Sequence, residues 1–310
     1  MIRDRVFTIA PHAPFLETLA DRLFDGTLLP DWPRSGPFWL SDITVILPTA
    51  RARRTFAEVI ARRSGTLLLP DLRVFGGEAE DEEPFLPPYD RAPLPPPVGA
   101  IARRLMLGEL IAAWIGSREQ MPFAKPGSVE PPGASEILAL ADSLGHLIDD
   151  LHVEGVPPSG IVGIAREELA EKWQQTLDFL DIALKTWPEV LDEMGLADAA
   201  WLRNERLRQQ AEAVGAVYGE RPVIAAGSTG SIPATAALLM AIARLPRGAV
   251  VLPGLDTTLG TKTFKALVDQ SKAPHGHPQY GMARLLERFS AEPSMVEELA
   301  SPAEHPRTLV

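Results

Sequence analysis

Three residues in the last third of the chain have side chains that could serve as nucleophile, acid and base of a serine hydrolase. Ser228 lies in the turn AGSTG, between an apolar run and a helix pattern, and Asp256 and His277 follow it. α/β-Hydrolases have this order of serine, acid and histidine, with the nucleophile on a sharp strand-to-helix turn. His275 could replace His277 as the base. The match is incomplete, because Ala226 stands where such a turn has its first glycine.

Three turns partly match phosphate-binding loops. Pro11, His12 and Pro14 follow the first apolar run, at the place where a P-loop would bind phosphate. Proline has no backbone N–H and the turn lacks Gly-Lys-Ser/Thr, so we predict a degenerate nucleotide loop that does not hydrolyse ATP. The turn at 226–230 has two glycines of a dinucleotide fingerprint, but a proline replaces the third. In the segment 254–263, the lysine comes one residue too late for a P-loop.

One helix pattern, which begins after Pro48, concentrates positive charge. It contains five arginines, at positions 51, 53, 54, 62 and 63. One interpretation is a solvated face opposite the apolar face of the helix. The other is a helix that contacts nucleic-acid phosphates, because guanidinium groups form charge-assisted hydrogen bonds with them.

The composition excludes several kinds of site. The chain has 310 residues and no cysteine, which excludes disulfides and thiolate metal sites. Its six histidines form no H-E-x-x-H pattern, and we predict no metal site. A formal net charge of −11 argues against general nucleic-acid coating, although a local basic patch could still bind DNA. No apolar stretch reaches about 18 residues and no secretory signal is recognisable, so we predict a cytoplasmic protein without membrane contact.

The elements that position these residues follow an α/β pattern. Continuous apolar runs of strand length are typical of strands buried on both faces of a parallel sheet. These runs are 6–9, 43–47, 222–226 and 249–252, together with 67–69 and 72–75, which predict one or two short strands. Amphipathic helix patterns separate them at 15–24, after Pro48 and at 234–244, and short helices follow residue 260. We therefore predict a parallel sheet with helices in the crossovers.

A helical region interrupts this α/β pattern. An acidic and proline-rich linker at 79–96 precedes helical patterns at 97–219, which include an apolar stripe over 173–187. One sheet built from both flanking parts is the economical arrangement. We predict a discontinuous α/β domain, formed by 1–78 and 221–310, with a helical subdomain inserted in it.

Five segments of the chain together resemble one family. They are VFTIAPHAPFLETLADRL, DITVILPTARARRTFAEVIARRSGTLLLPDLRVFG, LAEKWQQTLDFL, RPVIAAGSTGSIPATAALLMAIARLPRGAVVLPGLDT and HPQYGMARLLERF. They resemble the amino-terminal part of alphaproteobacterial AddB, the B subunit of the AddAB helicase–nuclease that processes double-strand DNA breaks. The resemblance spans nearly the whole chain. It implies an α/β, P-loop-like domain of superfamily 1 helicase type that has lost its motor, with an inserted helical subdomain.

The resemblance also implies partners and cofactors. Thr49, Arg51, Arg53 and Arg54 would contact the backbone of DNA, and the family reads the Chi regulatory sequence. ATP and Mg²⁺ would act on an AddA-type partner subunit. The family's iron–sulfur cluster and nuclease Mg²⁺ would belong to a domain beyond residue 310, so we expect no cofactor in this chain.

We therefore expect a non-catalytic part of a longer subunit that recognises DNA. A serine hydrolase that uses Ser228 is the main alternative, and a free-standing interaction protein is another.

Overall fold

The computed structural model describes residues 5–64, 68–76, 93–119, 132–156, 179–269, 271 and 275–300. The chain divides into two compact units. The first comprises Met1–Tyr89 together with Arg206–Val310, and the second comprises Asp90–Glu205.

The first unit contains a six-stranded sheet in which every neighbouring pair of strands is parallel. Its strands are β1 Val6–Ile9, β2 Thr44–Leu47, β3 Asp71–Val74, β4 Val223–Ala226, β5 Gly248–Pro253 and β6 Glu297–Glu298. They lie in the order β3-β2-β4-β5-β1-β6. The prediction of an α/β fold with one parallel sheet, built from both ends of the chain, is confirmed.

The described helices alternate with these strands or belong to the second unit. They are α1 Phe15–Phe24, α2 Ala50–Ser64, α3 Ala100–Glu119, α4 Ala134–Glu154, α5 Trp187–Glu193, α6 Ala199–Tyr218, α7 Pro233–Ala243, α8 Thr261–Val268 and α9 Tyr280–Arg288. A π-helical turn, Ile182–Thr186, leads into α5. Pro233 stands at the start of α7, where the missing N–H removes no helical hydrogen bond.

Both faces of the sheet are buried, because successive side chains of a strand point to opposite faces. On β4, Ile224 and Ala226 pack with α1 and α2, whereas Val223 and Ala225 pack with α7, α8, α9 and the second half of α6. This arrangement explains why the central strands appear in the sequence as continuous apolar runs.

The connections of the sheet change direction at two places. The β2–α2–β3 connection covers one face, while the neighbouring β4–α7–β5 connection covers the other. The same reversal separates β1, which leads into α1, from β5, which leads into α8. In open α/β sheets, ligands bind at such switch points, outside the carboxyl ends of the strands.

The connection between α7 and β5 requires a glycine. A Cβ on Gly248 would lie 1.7 Å from the carbonyl oxygen of Ile242, and the Gly248 N–H donates to the carbonyl of Leu245 at 3.1 Å. No side chain fits this space unless the end of α7 moves away from the sheet.

The second unit contains an antiparallel pair of helices. Gly145 on α4 would meet Arg103 and Leu107 of α3 if it had a Cβ, whereas Gly108 on α3 would meet Leu138 of α4. The early part of one helix therefore faces the late part of the other. Their apolar side chains surround Trp187, which is almost fully buried.

A buried carboxylate links the helices of this unit. Asp198, 2% exposed, lies 2.8 Å from Arg103 Nε in an ion pair and accepts a hydrogen bond from Trp187 Nε1 at 2.9 Å. His152 Nε2 lies 3.3 Å away, and Arg103 also pairs with Asp149. Burial opposes ionisation, but the hydrogen bond with His152 and the charge of Arg103 outweigh it, so the pKa of Asp198 lies below its usual value.

Several details differ from the sequence expectations. Of the one or two strands predicted from the runs at 67–69 and 72–75, the described residues form one, β3, and Leu68 and Leu69 are not part of it. The boundary expected at 219 differs from the unit boundary at Glu205, because the later residues of α6 pack in the core beside the sheet. The part of the predicted linker at 79–92 and the first part of the stripe at 173–187 lie outside the described residues. No sequence pattern predicted β6.

Candidate functional site

The parallel sheet brings the turns that follow β1, β2, β4 and β5 to one edge, which we call the carboxyl edge. Two close contacts join these turns in pairs. A Cβ on Gly227 would lie 3.3 Å from Pro48 Cδ and 3.4 Å from Phe15 Cε1, and one on Gly254 would lie 3.4 Å from Pro11 Cβ. Both glycines have positive φ values, +83° and +72°. The turn after β4 therefore packs on that after β2, and the turn after β5 on that after β1.

The turn after β1 has few free backbone donors. Pro11 and Pro14 have no N–H, and the N–H of Ala13 donates to the carbonyl of Ala10 at 3.0 Å. The N–H of Ala10 donates to Glu298 Oε1 at 2.9 Å. A phosphate cradle needs several converging N–H groups, and four positions of this turn offer none, because two are prolines and the N–H groups of Ala10 and Ala13 are bonded within the chain. His12 is exposed in this turn.

Glu298 is the residue at this edge that sequence reasoning missed. It belongs to β6, which pairs with β1, and its Oε1 also accepts the N–H of Ala300 at 3.0 Å. It places a negative charge beside the β1 turn, where a phosphate-binding loop would be electropositive. The contact joins residues 288 positions apart, and two consecutive glutamates give no strand or ligand signal that could have revealed it.

The turn after β4 gives Ser228 a structural hydrogen bond. Its Oγ accepts the N–H of Gly230 at 3.2 Å, which is a short-range turn bond. Gly230 is buried with φ +63°, and a Cβ there would lie 2.7 Å from Leu285 of α9. Packing between α7 and α9 thus explains the second glycine of the turn without a nucleotide.

Asp256 and His277 form bonds with their own loops. Asp256 Oδ1 accepts both the N–H and the hydroxyl of Thr258, at 3.0 and 2.7 Å. His277 Nδ1 accepts the N–H of Gln279 at 3.1 Å. Within the part of the chain that the structure describes, no hydrogen bond joins Ser228, Asp256 and His277. The hydrolase hypothesis stays a prediction that no feature of this geometry favours.

Thr49 begins α2. Its Oγ1 accepts the N–H of Ala52 at 3.1 Å, and its carbonyl accepts the N–H of Arg53 at 3.0 Å, as a helix N-cap residue does. The side chain is exposed. Because this bond uses the oxygen only as an acceptor, the hydroxyl hydrogen remains available to donate to a ligand.

The arginines of α2 differ in their surroundings. Arg51 and Arg54 are exposed and form no ion pair with any described residue, whereas Arg53 is half-buried and has other contacts. Arg51 and Arg53 lie in the first turn of α2, which contains no acidic residue. Cations at this positive end of a helix dipole cost about 0.3–1 kcal/mol each. Helix stability therefore does not explain their position, and a bound anion would offset the repulsion.

The structure places Thr49 and the arginines at the start of α2, Arg51, Arg53 and Arg54, at the same edge of the sheet as the β1 turn, Ser228 and Asp256. No three acidic or histidine side chains among the described residues are grouped closely enough to hold a metal ion. None of the described helices has the length and apolar character needed to cross a membrane. No protein-family model matches the sequence, and no curated protein matches it significantly.

Proposed function

We propose that this chain is a non-catalytic, helicase-like DNA-recognition module of a double-strand-break repair helicase–nuclease, of AddB type. It binds the DNA backbone through the amino-terminal end of α2. An AddA-type partner subunit supplies ATP hydrolysis, and the chain positions DNA for that motor.

One observation supports this proposal above the others. The carboxyl edge combines a turn at β1 that Glu298 closes with two exposed arginines of α2, Arg51 and Arg54, which form no ion pair with any described residue. An active nucleotide-dependent motor needs donors and a lysine around its phosphates. A DNA-backbone contact needs exposed cations and hydroxyls, which α2 presents.

The resemblance to AddB supports the same assignment. In superfamily 1 helicases, the residues after the second core strand contact single-stranded DNA, and here Thr49, Arg51 and Arg54 occupy that place. The resemblance also gives the partner, because AddB works together with a motor subunit.

The test is single-strand binding by the 310-residue chain and by the variant Arg51→Ala/Arg54→Ala. We leave Arg53 unchanged, because it is half-buried and its loss could disturb folding. A fluorescent oligo-dT strand is titrated at several salt concentrations. If each arginine neutralises one phosphate, the variant binds more weakly and its log–log salt slope is shallower by about 1.4, at about 0.7 per phosphate.

The matched control is Arg244→Ala. Arg244 is an exposed arginine that follows α7, at the opposite edge of the sheet. This variant should keep the affinity and the slope of the wild type. Equal binding by Arg51→Ala/Arg54→Ala and by the wild type would mean that these arginines form only a solvated face.

A further inference from the structure

The exposed face of α2 extends well beyond its first turn. Arg51, Arg54, Glu58 and Arg62 follow one another at steps of three, four and four residues, and all four are exposed. Residues with this spacing lie on one side of an α-helix. At 1.5 Å per residue, the distance from Arg51 to Arg62 along the axis is about 16 Å.

The three arginines of this face are available to a ligand. Among the described side chains, none of them forms an ion pair, even though Glu58 is four residues from both Arg54 and Arg62. Arg63 points elsewhere, because its Nε pairs with Asp21 of α1 at 2.8 Å. One side of α2 therefore has a neutralised arginine, Arg63, whereas the side with Arg51, Arg54 and Arg62, which we call the open face, keeps its positive charge.

We propose that this open face, formed by Arg51, Arg54, Glu58 and Arg62, is a continuous track that binds a nucleic-acid backbone. Arg62 is its distal contact, and the negative charge of Glu58 weakens the binding. The proposal rests on the proposed function and extends it from the amino-terminal end of α2 to the whole helix. It assigns a role to two residues that the resemblance to a helicase does not mark.

The charge pattern explains how such a track would behave. The phosphates of one strand are about 3.4 Å apart per nucleotide along a B-form axis, so a face of about 16 Å spans about five nucleotides and its three cations can each meet a different phosphate. Glu58 faces the same strand and repels it. In a chain with 41 acidic and 30 basic residues, such attenuation would keep binding weak and readily reversible.

Two single substitutions in the 310-residue chain test the track, and their effects have opposite signs. Arg62→Ala should lower the affinity for a fluorescent oligo-dT strand at low salt about threefold, and reduce the log–log salt slope by about 0.7. Glu58→Gln should raise the affinity about threefold, because the like-charge repulsion is removed while the side chain keeps its size. Neither result would follow if this face had a purely structural role.

Matched controls use the same chemical changes away from α2. Arg244→Ala and Glu109→Gln alter exposed residues next to α7 and on α3, and both should bind as the wild type does. Circular dichroism of every variant checks that the fold is retained. The controls change the net charge by the same amount as the α2 variants. A difference in affinity between the two groups therefore depends on the position of the residue on α2.

The outcomes separate this inference from the proposed function. If Arg51→Ala/Arg54→Ala weakens binding while Arg62→Ala and Glu58→Gln change nothing, the track is wrong and the contact is confined to the start of α2. If no variant differs from the wild type, or the wild type shows no binding at low salt, both proposals are wrong. A weaker Arg62→Ala together with a stronger Glu58→Gln supports the track.

Discussion

Asp198 organises the second unit through one carboxylate. Its oxygens meet Arg103, Trp187 and His152, which come from α3, α5 and α4, and the residue itself precedes α6. Burying a charge is unfavourable unless it is compensated, and here the Trp187 hydrogen bond, the His152 contact and the opposite charge of Arg103 compensate it. The four helices are therefore connected through a group whose loss would leave the guanidinium of Arg103 without its closest partner.

Replacing Asp198 by asparagine should destabilise the second unit strongly. Breaking a buried ion pair from one side costs about 3 kcal/mol, because the remaining charge stays buried. Urea unfolding followed by tryptophan fluorescence measures the free energy of unfolding. The matched control is Asp142→Asn, which breaks the exposed pair with Arg104 and should cost less than about 1 kcal/mol. Equal losses in the two variants would contradict the role of the buried carboxylate.

The same residue predicts a pH dependence. The pKa of Asp198 is lowered on folding, so its ionised form stabilises the native state. This contribution is fully present above the unfolded-state pKa of about 3.9 and is lost as the pH falls through the lower folded-state value. The free energy of unfolding, measured from pH 6 down to pH 3, should therefore decrease less steeply with falling pH in Asp198→Asn than in the wild type.

Ser228 should be unreactive. Its Oγ accepts a turn hydrogen bond from Gly230, and no described histidine is bonded to it, so nothing activates it as a nucleophile. A fluorophosphonate probe should label neither the wild type nor the Ser228→Ala variant. Stoichiometric labelling that disappears in Ser228→Ala would make the hydrolase alternative the better hypothesis.

At the scale of the elements, the sequence predicted the strands that are buried on both faces. β2, β4 and β5 appear as continuous apolar runs, and the observed bounds differ from the expected ones by one residue or so. β6 could not be predicted, because Glu297 and Glu298 have low strand propensity and only their pairing with β1 makes them a strand. The sequence predicted the position of α2 after the second strand. It did not predict that Glu298 of β6 accepts a hydrogen bond from the β1 turn.

The attachment of β6 should depend on the Glu298 carboxylate. Glu298→Ala removes an acceptor shared by two N–H groups and should lower the free energy of unfolding by about 2 kcal/mol. Glu298→Gln keeps an acceptor and should lose less. The neighbouring Glu297 is exposed, and Glu297→Ala should be nearly neutral. Chemical unfolding of all three variants measures these differences, and equal losses in Glu298→Ala and Glu297→Ala would contradict the role of the Glu298 carboxylate in attaching β6.

At the scale of the whole molecule, the two switch points of the sheet have different surroundings. The one at β1 and β5 has a prolyl turn beside a carboxylate, and the one at β2 and β4 lies next to the start of a basic helix. We therefore expect phosphate groups to be repelled at the first and attracted near the second. The proposed contact with the DNA backbone thus lies near α2 and not at the β1 turn.

The chain should not bind Mg·ATP at the β1 turn. The turn offers no lysine, and Glu298 occupies the Ala10 N–H. Isothermal calorimetry should show no saturable heat. Micromolar binding that persists in Lys262→Ala would contradict the closed turn, whereas binding that is lost in Lys262→Ala would assign the nucleotide to the 254–263 loop.

The parallel sheet also keeps its carboxyl edge apart from the opposite edge, so that a spectroscopic label can be attached to either edge separately. Four strand residues span about 13 Å, so Ser35 in the α1–β2 connection is far from the carboxyl edge. The chain has no cysteine, and a thiol introduced by Ser35→Cys would be its only one. A dye at that thiol should be insensitive to a ligand that contacts α2, whereas a dye at Thr258→Cys would report events at the carboxyl edge. The dye at Ser35→Cys can therefore serve as the reference for distance and binding measurements with the dye at Thr258→Cys.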